Sequence, residues 1–204
     1  MAVTAGGASA EPKGARRAES KGGGVIGLYR RHAGAWARDR GDRLTERAWL
    51  DRFRELLPAN PSVLDLGCAL TGVDASAELI AMCRRDFPEH AWRVGDMRRA
   101  NLGASFGGVP AWDSFFHLGH ADQRRMFDRF RRHCAPGAAL MFTCGPAHGE
   151  AIGAFEGEPL YHASLAPDEY RALLAERGFE VLAHAAEDPD CTGRTVWLAR
   201  GARP

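Results

Sequence analysis

The apolar positions of this chain repeat in two rhythms, one helical, with a spacing of three to four residues, and one of short continuous runs of strand length. Between Val25 and Leu57, the residues Leu28, Trp36, Leu44, Trp49, Leu50, Phe53, Leu56 and Leu57 recur at helical spacing and Pro58 closes the pattern, which predicts one helix or two. Residues 62–67 (SVLDLG) are an apolar run ended by glycine, as in a buried strand that runs into a turn, and residues 70–74 (LTGVD) are a second such run. Residues 77–87 put Leu79, Ile80, Cys83 and Phe87 on one helical face, with Ser76 as N-cap and Pro88 as the stop. Strands are expected at 92–94 and 108–116, and a helix at 121–134 with Met126, Phe127, Phe130 and Cys134 as its apolar stripe. The Pro136-Gly137 turn leads to a strand at 138–143. Residues 145–164, rich in Gly, His and Glu, are expected to be irregular. A helix over 167–177 has Pro167 at its first position and Gly178 at its end, and strands at 179–183 and 195–199 are joined by the turn-rich segment 187–193.

This order, β-α-β-α-β-α-β-β, predicts an α/β domain: a Rossmann-like, mostly parallel sheet with helices on both faces and a C-terminal antiparallel hairpin. Residues 1–24 carry almost no bulky apolar side chain and are expected to form a disordered arm, which leaves 25–204 as the domain. Charge narrows the partners. The 27 Lys and Arg are balanced by 26 Asp and Glu, so no global field draws the protein to nucleic acid or to an anionic membrane, and a small-molecule partner is favoured. The arginines of 124–132 fall mostly outside the apolar stripe and read as a solvated face. Five scattered cysteines without a C-x-x-C pair are expected to be free thiols, and with no bilayer-length apolar run or signal peptide the expected setting is cytoplasmic.

The chemistry sits at the expected strand ends. Val63-Leu64-Asp65-Leu66-Gly67-Cys68 resembles the opening of the first motif of class I S-adenosylmethionine-dependent methyltransferases of the small-molecule type, where glycine after a parallel strand lets the backbone pass close to a bound nucleoside. Thr71-Gly72-Val73-Asp74-Ala75-Ser76 resembles the second motif, and the resemblance makes Asp74 the acceptor of both ribose hydroxyls, with Ala75 beside it. Gly95-Asp96-Met97 is similar to the third, in which Asp96 and Met97 border the adenine. Trp112 and Asp113 stand where the family's fourth strand ends beside the donor methyl group. Taken singly each signal has a plainer reading: Asp74 as a helix N-terminal carboxylate, Asp96 as a turn former, Asp113 as a strand-end cap. Their order along the chain carries the resemblance. It implies S-adenosylmethionine as cofactor, bound by Asp65, Gly67, Cys68, Asp74, Ala75, Asp96, Met97 and Trp112.

The chain departs from the family between the first two motifs. A parallel neighbour needs a crossover, usually helical, yet Gly67 and Asp74 are close in sequence and the later glycines of the first motif are absent. Two full strands here would require a return of about 15 Å from a link that reaches only about 7 Å, so normal parallel pairing is expected to be excluded and the first βαβ unit truncated by an in-frame deletion. Pro110 inside a central strand and Gly108 at a usual acidic site are further departures. Methyl transfer is an in-line displacement that asks mainly for positioning and exclusion of water. Where the acceptor needs a base, Asp113 and His117 are the first candidates, followed by His148, Glu150, Tyr161 and His162. His117 and His120 lack a third ligand in sequence reach, so no metal is implied. Two alternatives stay open: a non-catalytic relic or binding module, which the shortened first unit favours, and a nicotinamide-dependent dehydrogenase, against which the missing G-x-G-x-x-G counts.

Overall fold

The computed structural model describes residues 13–40, 44–67 and 71–203. Among these described residues nine strands and five α-helices follow in the order α1 (Lys13–Arg40), α2 (Arg47–Glu55), β1 (Leu64–Asp65), β2 (Thr71–Asp74), α3 (Ala77–Asp86), β3 (Trp92–Val94), β4 (Phe106–Ala111), α4 (His120–His133), β5 (Cys134–Cys144), β6 (Gly149–Phe155), β7 (Glu158–Ser164), α5 (Pro167–Glu176), β8 (Phe179–Asp188) and β9 (Arg194–Gly201). Strands β1, β2 and β3 form one parallel ladder, and β4, β5, β9 and β8 another in which β9 runs antiparallel to both neighbours. A parallel bridge between Val63 and Gly108 joins them, giving the order β3-β2-β1-β4-β5-β9-β8. Among the described residues no helix is long and apolar enough to cross a membrane.

The mostly parallel sheet is covered on both faces, and β5 shows why its sequence is a continuous apolar run. Leu140 and Phe142 join a core with α4 and α5 that includes Phe115, Phe127, Phe130, Tyr170 and Trp197, while Ala139 and Met141 face the other way, with Trp49 and Phe53 of α2. The Trp49 indole also donates to Asp188 Oδ2 at 2.7 Å, tying α2 to the end of β8. Helix punctuation follows the sequence: Ser76 Oγ accepts from Leu79 N at 3.2 Å, Pro167 opens α5, and Gly178 follows it at φ +71°.

Several expectations are corrected. The segments around Gly67 and Asp74 do pair in parallel, with Leu64 opposite Thr71 and Asp65 opposite Gly72. The exclusion had assumed two full strands. With a ladder of two pairs, the return from Asp65 to Thr71 covers about one residue of rise and one strand spacing, roughly 6 Å, well within the reach of residues 66–70. The first unit is nevertheless truncated, for the linkage from Asp65 to Thr71 has no room for a crossover helix. Residues 145–164, expected to be irregular, contain the hairpin β6–β7, closed by Glu156 (φ +51°) and Gly157 (φ +77°) with Phe155 opposite Glu158. Of the one helix or two expected between Val25 and Leu57, the structure has two, α1 and α2, as that reading allowed, with α1 kinked at His32 (φ −113°, ψ 20°). Helix α1 also begins at Lys13, inside the stretch expected to be an arm, because the Ala, Arg and Glu of that stretch favour helix without adding apolar periodicity. Residues 1–12 lie outside the described residues. The strand expected over 108–116 ends at Ala111 and gives way to a tight 3₁₀ turn, Phe115–His117. Free thiols are found at Cys134, Cys144 and Cys191, whereas Cys83 is disulfide-bonded, its partner lying outside the described residues.

Pro110 does sit in a central strand. Its carbonyl accepts from Leu66 N at 3.0 Å, so its missing donor faces the β1 side, where the ladder is shortest. Gly108 has no room for the acidic side chain usual at its position: a Cβ there would lie 2.5 Å from Leu57 Cδ2 and 2.7 Å from Phe53 Cζ.

Candidate active site

A cleft of about 730 Å³ opens at the carboxyl ends of β1 to β4, beneath α1 and beside α2. Parallel strands deliver their following loops to one edge, so motifs far apart in sequence converge there. Of the residues singled out from sequence, Asp65, Gly67, Asp74, Ala75, Asp96, Met97, Trp112, Asp113 and His117 all line this cleft, and Cys68 lies outside the described residues. His148, Glu150, Tyr161 and His162 belong to the hairpin region and do not line it.

The loops after β1 and β4 are locked together. Ser114 Oγ donates to Leu66 O at 2.6 Å, and a Cβ on Gly67 (φ +149°) would lie 2.8 Å from both Ser114 Cβ and Oγ, so only glycine fits that close approach. Asp74, at the end of β2, accepts from Ser76 N at 2.6 Å through Oδ1, while Oδ2 takes no hydrogen bond from the described residues. Burial raises its pKa, and the Ser76 amide opposes that rise. Asp96 is different. Its carboxylate caps the turn Met97–Arg99 through Arg98 N at 2.9 Å and is gripped by the Arg98 guanidinium, which reaches on to buried Asp122 at 2.9 Å. Burial alone would raise Asp96, but the Arg98 hydrogen bonds and charge outweigh it and hold the carboxyl below its ordinary value.

The two candidate bases also divide. Asp113, at φ +47°, is clasped by Arg194 of β9, with Nε at 2.9 and 3.1 Å from its two oxygens and Nη2 at 2.7 Å from Oδ2. Both oxygens of this carboxylate are thus engaged by the guanidinium. His117 is buried, its Nδ1 lying 2.9 Å from Tyr161 O and its Nε2 3.0 Å from Tyr29 Oη, while His162 stacks on its ring at 5.0 Å. Burial lowers its pKa to about 4; the His162 ring adds to that fall, and the Tyr161 carbonyl and Asp113 oppose it. His120 is turned away, stacking on His148 and bonding to Gly149 O at 3.0 Å.

Helix α1 roofs the cleft with Val25, Ile26, Tyr29 and Trp36. It is fastened to the hairpin by Glu158, which accepts from Arg31 Nε at 3.2 Å and pairs with His32 Nε2 at 2.7 Å, and to α3 by an ion pair from Arg30 to Glu78 at 3.5 Å. Tyr29, Arg98 and Arg194 were not foreseen. Each acts on a residue that sequence reading did single out, but Tyr29 and Arg194 come from elements remote in the chain and have no local signature; only Arg98, two residues after Asp96, could have been suspected as a turn partner.

Residues 61–137 match the family model of a methyltransferase domain. No curated protein matches the sequence. Among solved structures, an amino pentose methyltransferase of calicheamicin biosynthesis from Micromonospora echinaspora, bound to S-adenosylmethionine, superposes with a TM-score of 0.64 at 21% identity, over 83% of this chain and 95% of that one. A magnesium protoporphyrin IX methyltransferase from Synechocystis PCC 6803 gives 0.66 at 14% identity, over 89% and 97%, and the CcbJ methyltransferase from Streptomyces caelestis 0.63 at 16%, over 85% and 96%. At such identities these likenesses establish the fold. The family model adds a match to a methyltransferase domain over residues 61–137, the stretch that holds the first four strands, so the chain shares the fold of these methyltransferases and resembles their domain over that stretch.

Proposed function

We propose that the chain transfers the methyl group of S-adenosylmethionine to a small organic acceptor held under α1. The observation that carries this reading is Asp74: it stands at the end of β2 with one oxygen fixed by the Ser76 amide and the other without a donor among the described residues, which suits a ribose-binding carboxylate. Gly67 and Gly95 let the backbone approach on either side, and Val73, Leu79 and Met97 offer apolar wall for an adenine. The donor, when bound, supplies an electrophilic methyl group on a sulfonium. Asp65 and Gly67 border its amino acid end, Asp74 and Ala75 its ribose, Asp96 and Met97 its adenine, and Trp112 the reacting centre. Asp113 serves as an anchor for the turn after β4 through Arg194, while His117 is the base.

The working unit is residues 25–204, since Val25 opens the buried side chains of α1 among the described residues. A formal net charge of +1 supports an acceptor other than nucleic acid or membrane. A second reading, a binding module without turnover, is favoured by the short passage from Asp65 to Thr71, which replaces the usual glycine-rich turn and helix.

Calorimetry with S-adenosylhomocysteine tests the proposal. The wild type should bind, and Asp74→Ala should weaken binding roughly tenfold to hundredfold, the worth of a hydrogen bond to a charged group. Absence of wild-type binding, or an Asp74→Ala variant with unchanged affinity, overturns it.

A further inference from the structure

We propose that Tyr29 and His117 form a two-member proton relay and that the acceptor atom it serves is a hydroxyl oxygen. The inference rests on the methyltransferase reading above and deepens it. Its basis is a chain of hydrogen bonds whose polarity is fixed at one end. Tyr161 O is a carbonyl and can only accept, so His117 Nδ1, 2.9 Å away, carries the proton. The remaining nitrogen, Nε2, then has a lone pair and accepts from Tyr29 O–H at 3.0 Å. Both side chains line the cleft that holds Asp74 and Trp112. The tyrosine lies on the roof helix, and its ring packs edge-on against the His117 ring at 5.5 Å.

The groups around the relay decide what it can do. His117 faces Tyr29 from α1, His162 from β7, and Asp113 with its Arg194 partner in the turn after β4. Burial keeps the imidazole neutral down to about pH 4, so at neutral pH the lone pair on Nε2 is always present. Burial, with Asp113 and Asp74 nearby, pushes the Tyr29 phenol above its ordinary value, so Tyr29 does not rest as a phenolate; it takes one proton as it gives up another. A hydroxyl acceptor suits such a weak base. As the new C–O bond forms and the C–S bond breaks, the C–S electron pair stays on sulfur and the acceptor oxygen becomes strongly acidic. Its proton passes to Tyr29 Oη while the Tyr29 proton passes to His117 Nε2, and the resulting imidazolium releases it to solvent.

An alkylamine acceptor fits badly. It arrives as an ammonium ion with a pKa of about 10, as for lysine, and must lose a proton before it can attack; an imidazole held by burial below its ordinary value is a poor base for that step. The carboxylate beside the relay that could hold an ammonium ion, Asp113, is already clasped by Arg194.

Three measurements on the full chain test the relay. Release of S-adenosylhomocysteine is followed with matched pairs, benzyl alcohol against benzylamine and cyclohexanol against cyclohexylamine, which suit the apolar walls formed by Ile26, Leu50 and Leu57. The alcohols should turn over and the amines should not. Tyr29→Phe, which removes one oxygen, should lower kcat by about a hundredfold or more while the affinity for S-adenosylhomocysteine stays within twofold. Nitrogen NMR should find His117 neutral and protonated on Nδ1 from pH 8 to pH 5, with Tyr29→Phe moving the Nε2 resonance alone. Turnover confined to amines, turnover on neither series by a chain that binds S-adenosylhomocysteine, a Tyr29→Phe variant of wild-type rate, or an Nε2-protonated ring each overturns the relay. Failure to bind S-adenosylhomocysteine is a different result, which removes the methyltransferase reading itself.

Discussion

The two halves of the sheet are built to different standards. Strands β1, β2 and β3 have two, four and three residues, whereas β4, β5, β9 and β8 have six, eleven, eight and ten. The larger fully buried side chains follow the same division: Trp197, Tyr170, Phe115, Phe127, Phe130 and Phe142 all pack in the long half. The short half carries the carboxylates Asp65, Asp74 and Asp96 instead, on strand ends that open into the cleft. Burial of apolar area scales with what is buried, so the long half supplies most of the cohesion and the short half most of the ligand chemistry. This division explains how a shortened first unit is tolerated. The missing crossover falls in the half that contributes least to the core, and β1 needs only two paired positions to bring Gly67 and Asp74 to the same edge.

The sharpest way to break this comparison is to truncate one side chain in each half. Phe142→Ala, in the middle of the aromatic core, should destabilise by about 3–5 kcal/mol and lower the denaturation midpoint of the whole domain. Val73→Ala in β2, equally buried, removes two carbons and should cost about 1–2 kcal/mol. Its larger effect should fall on amide exchange and cofactor affinity, because the short half opens without unfolding the rest. Equal losses of global stability in the two variants, with equal exchange rates in β2 and β5, would mean that the halves are one cooperative unit.

Next in size is a pH effect centred where the halves meet. His117 has its folded pKa depressed to about 4 from an ordinary 6.5, so the unfolded chain binds a proton over a range where the folded chain does not. Its contribution is fully present above about pH 6.5 and is lost as the pH falls towards 4, a change on the order of 3 kcal/mol. His162 and His184, both lowered by burial, add in the same direction. Denaturant titrations of wild type and His117→Gln at pH 7 and pH 4.5 isolate the term: the wild type should lose more stability on acidification than the variant. A parallel loss in both would show that His117 is not held neutral by the fold.

Much of the long half was legible in the sequence because its signals are local. The stripe Met126, Phe127 and Phe130 is fully buried in α4, the alternation of β5 follows from cover on both faces, and Pro167 and Gly178 bracket α5 where their backbone preferences place them. The hairpin β6–β7 was missed although its turn pair Glu156-Gly157 lies in plain view, because β6 is mostly exposed and leaves no apolar alternation to register. At the site, motif order placed nine residues around one cleft but did not sort them. Whether a carboxylate is open, like Asp74, or occupied, like Asp113, depends on a partner such as Arg194 that is remote in sequence. The role of Tyr29 likewise depends on where α1 crosses the cleft, which a helical pattern alone does not specify. The exclusion of the β1–β2 pair failed for a related reason: strand lengths were taken from apolar runs, and the ladder uses only part of each run.

The smallest expected effect sharpens the boundary itself. Gly108 bridges to Val63 where the two ladders join, and Phe53 and Leu57 of α2 rest directly on its backbone. Gly108→Ala would bring a methyl group to within 2.7 Å of the Phe53 ring and 2.5 Å of Leu57, closer than packed carbons tolerate, so these two side chains must shift, or α2 with them. Overpacking of this kind costs typically about 1–3 kcal/mol, and because Phe53 and Leu57 also line the cleft, the displacement should change ligand binding as well as stability. Gly149→Ala is the matched control: a Cβ there meets nothing within 4 Å, and its effect on stability should stay within about 0.5 kcal/mol. Thermal melts of both variants, each with and without S-adenosylhomocysteine, measure the two responses together. If Gly108→Ala melts like Gly149→Ala and keeps the full ligand-induced shift, then α2 is free to adjust and the seam between the halves is not fixed by close packing.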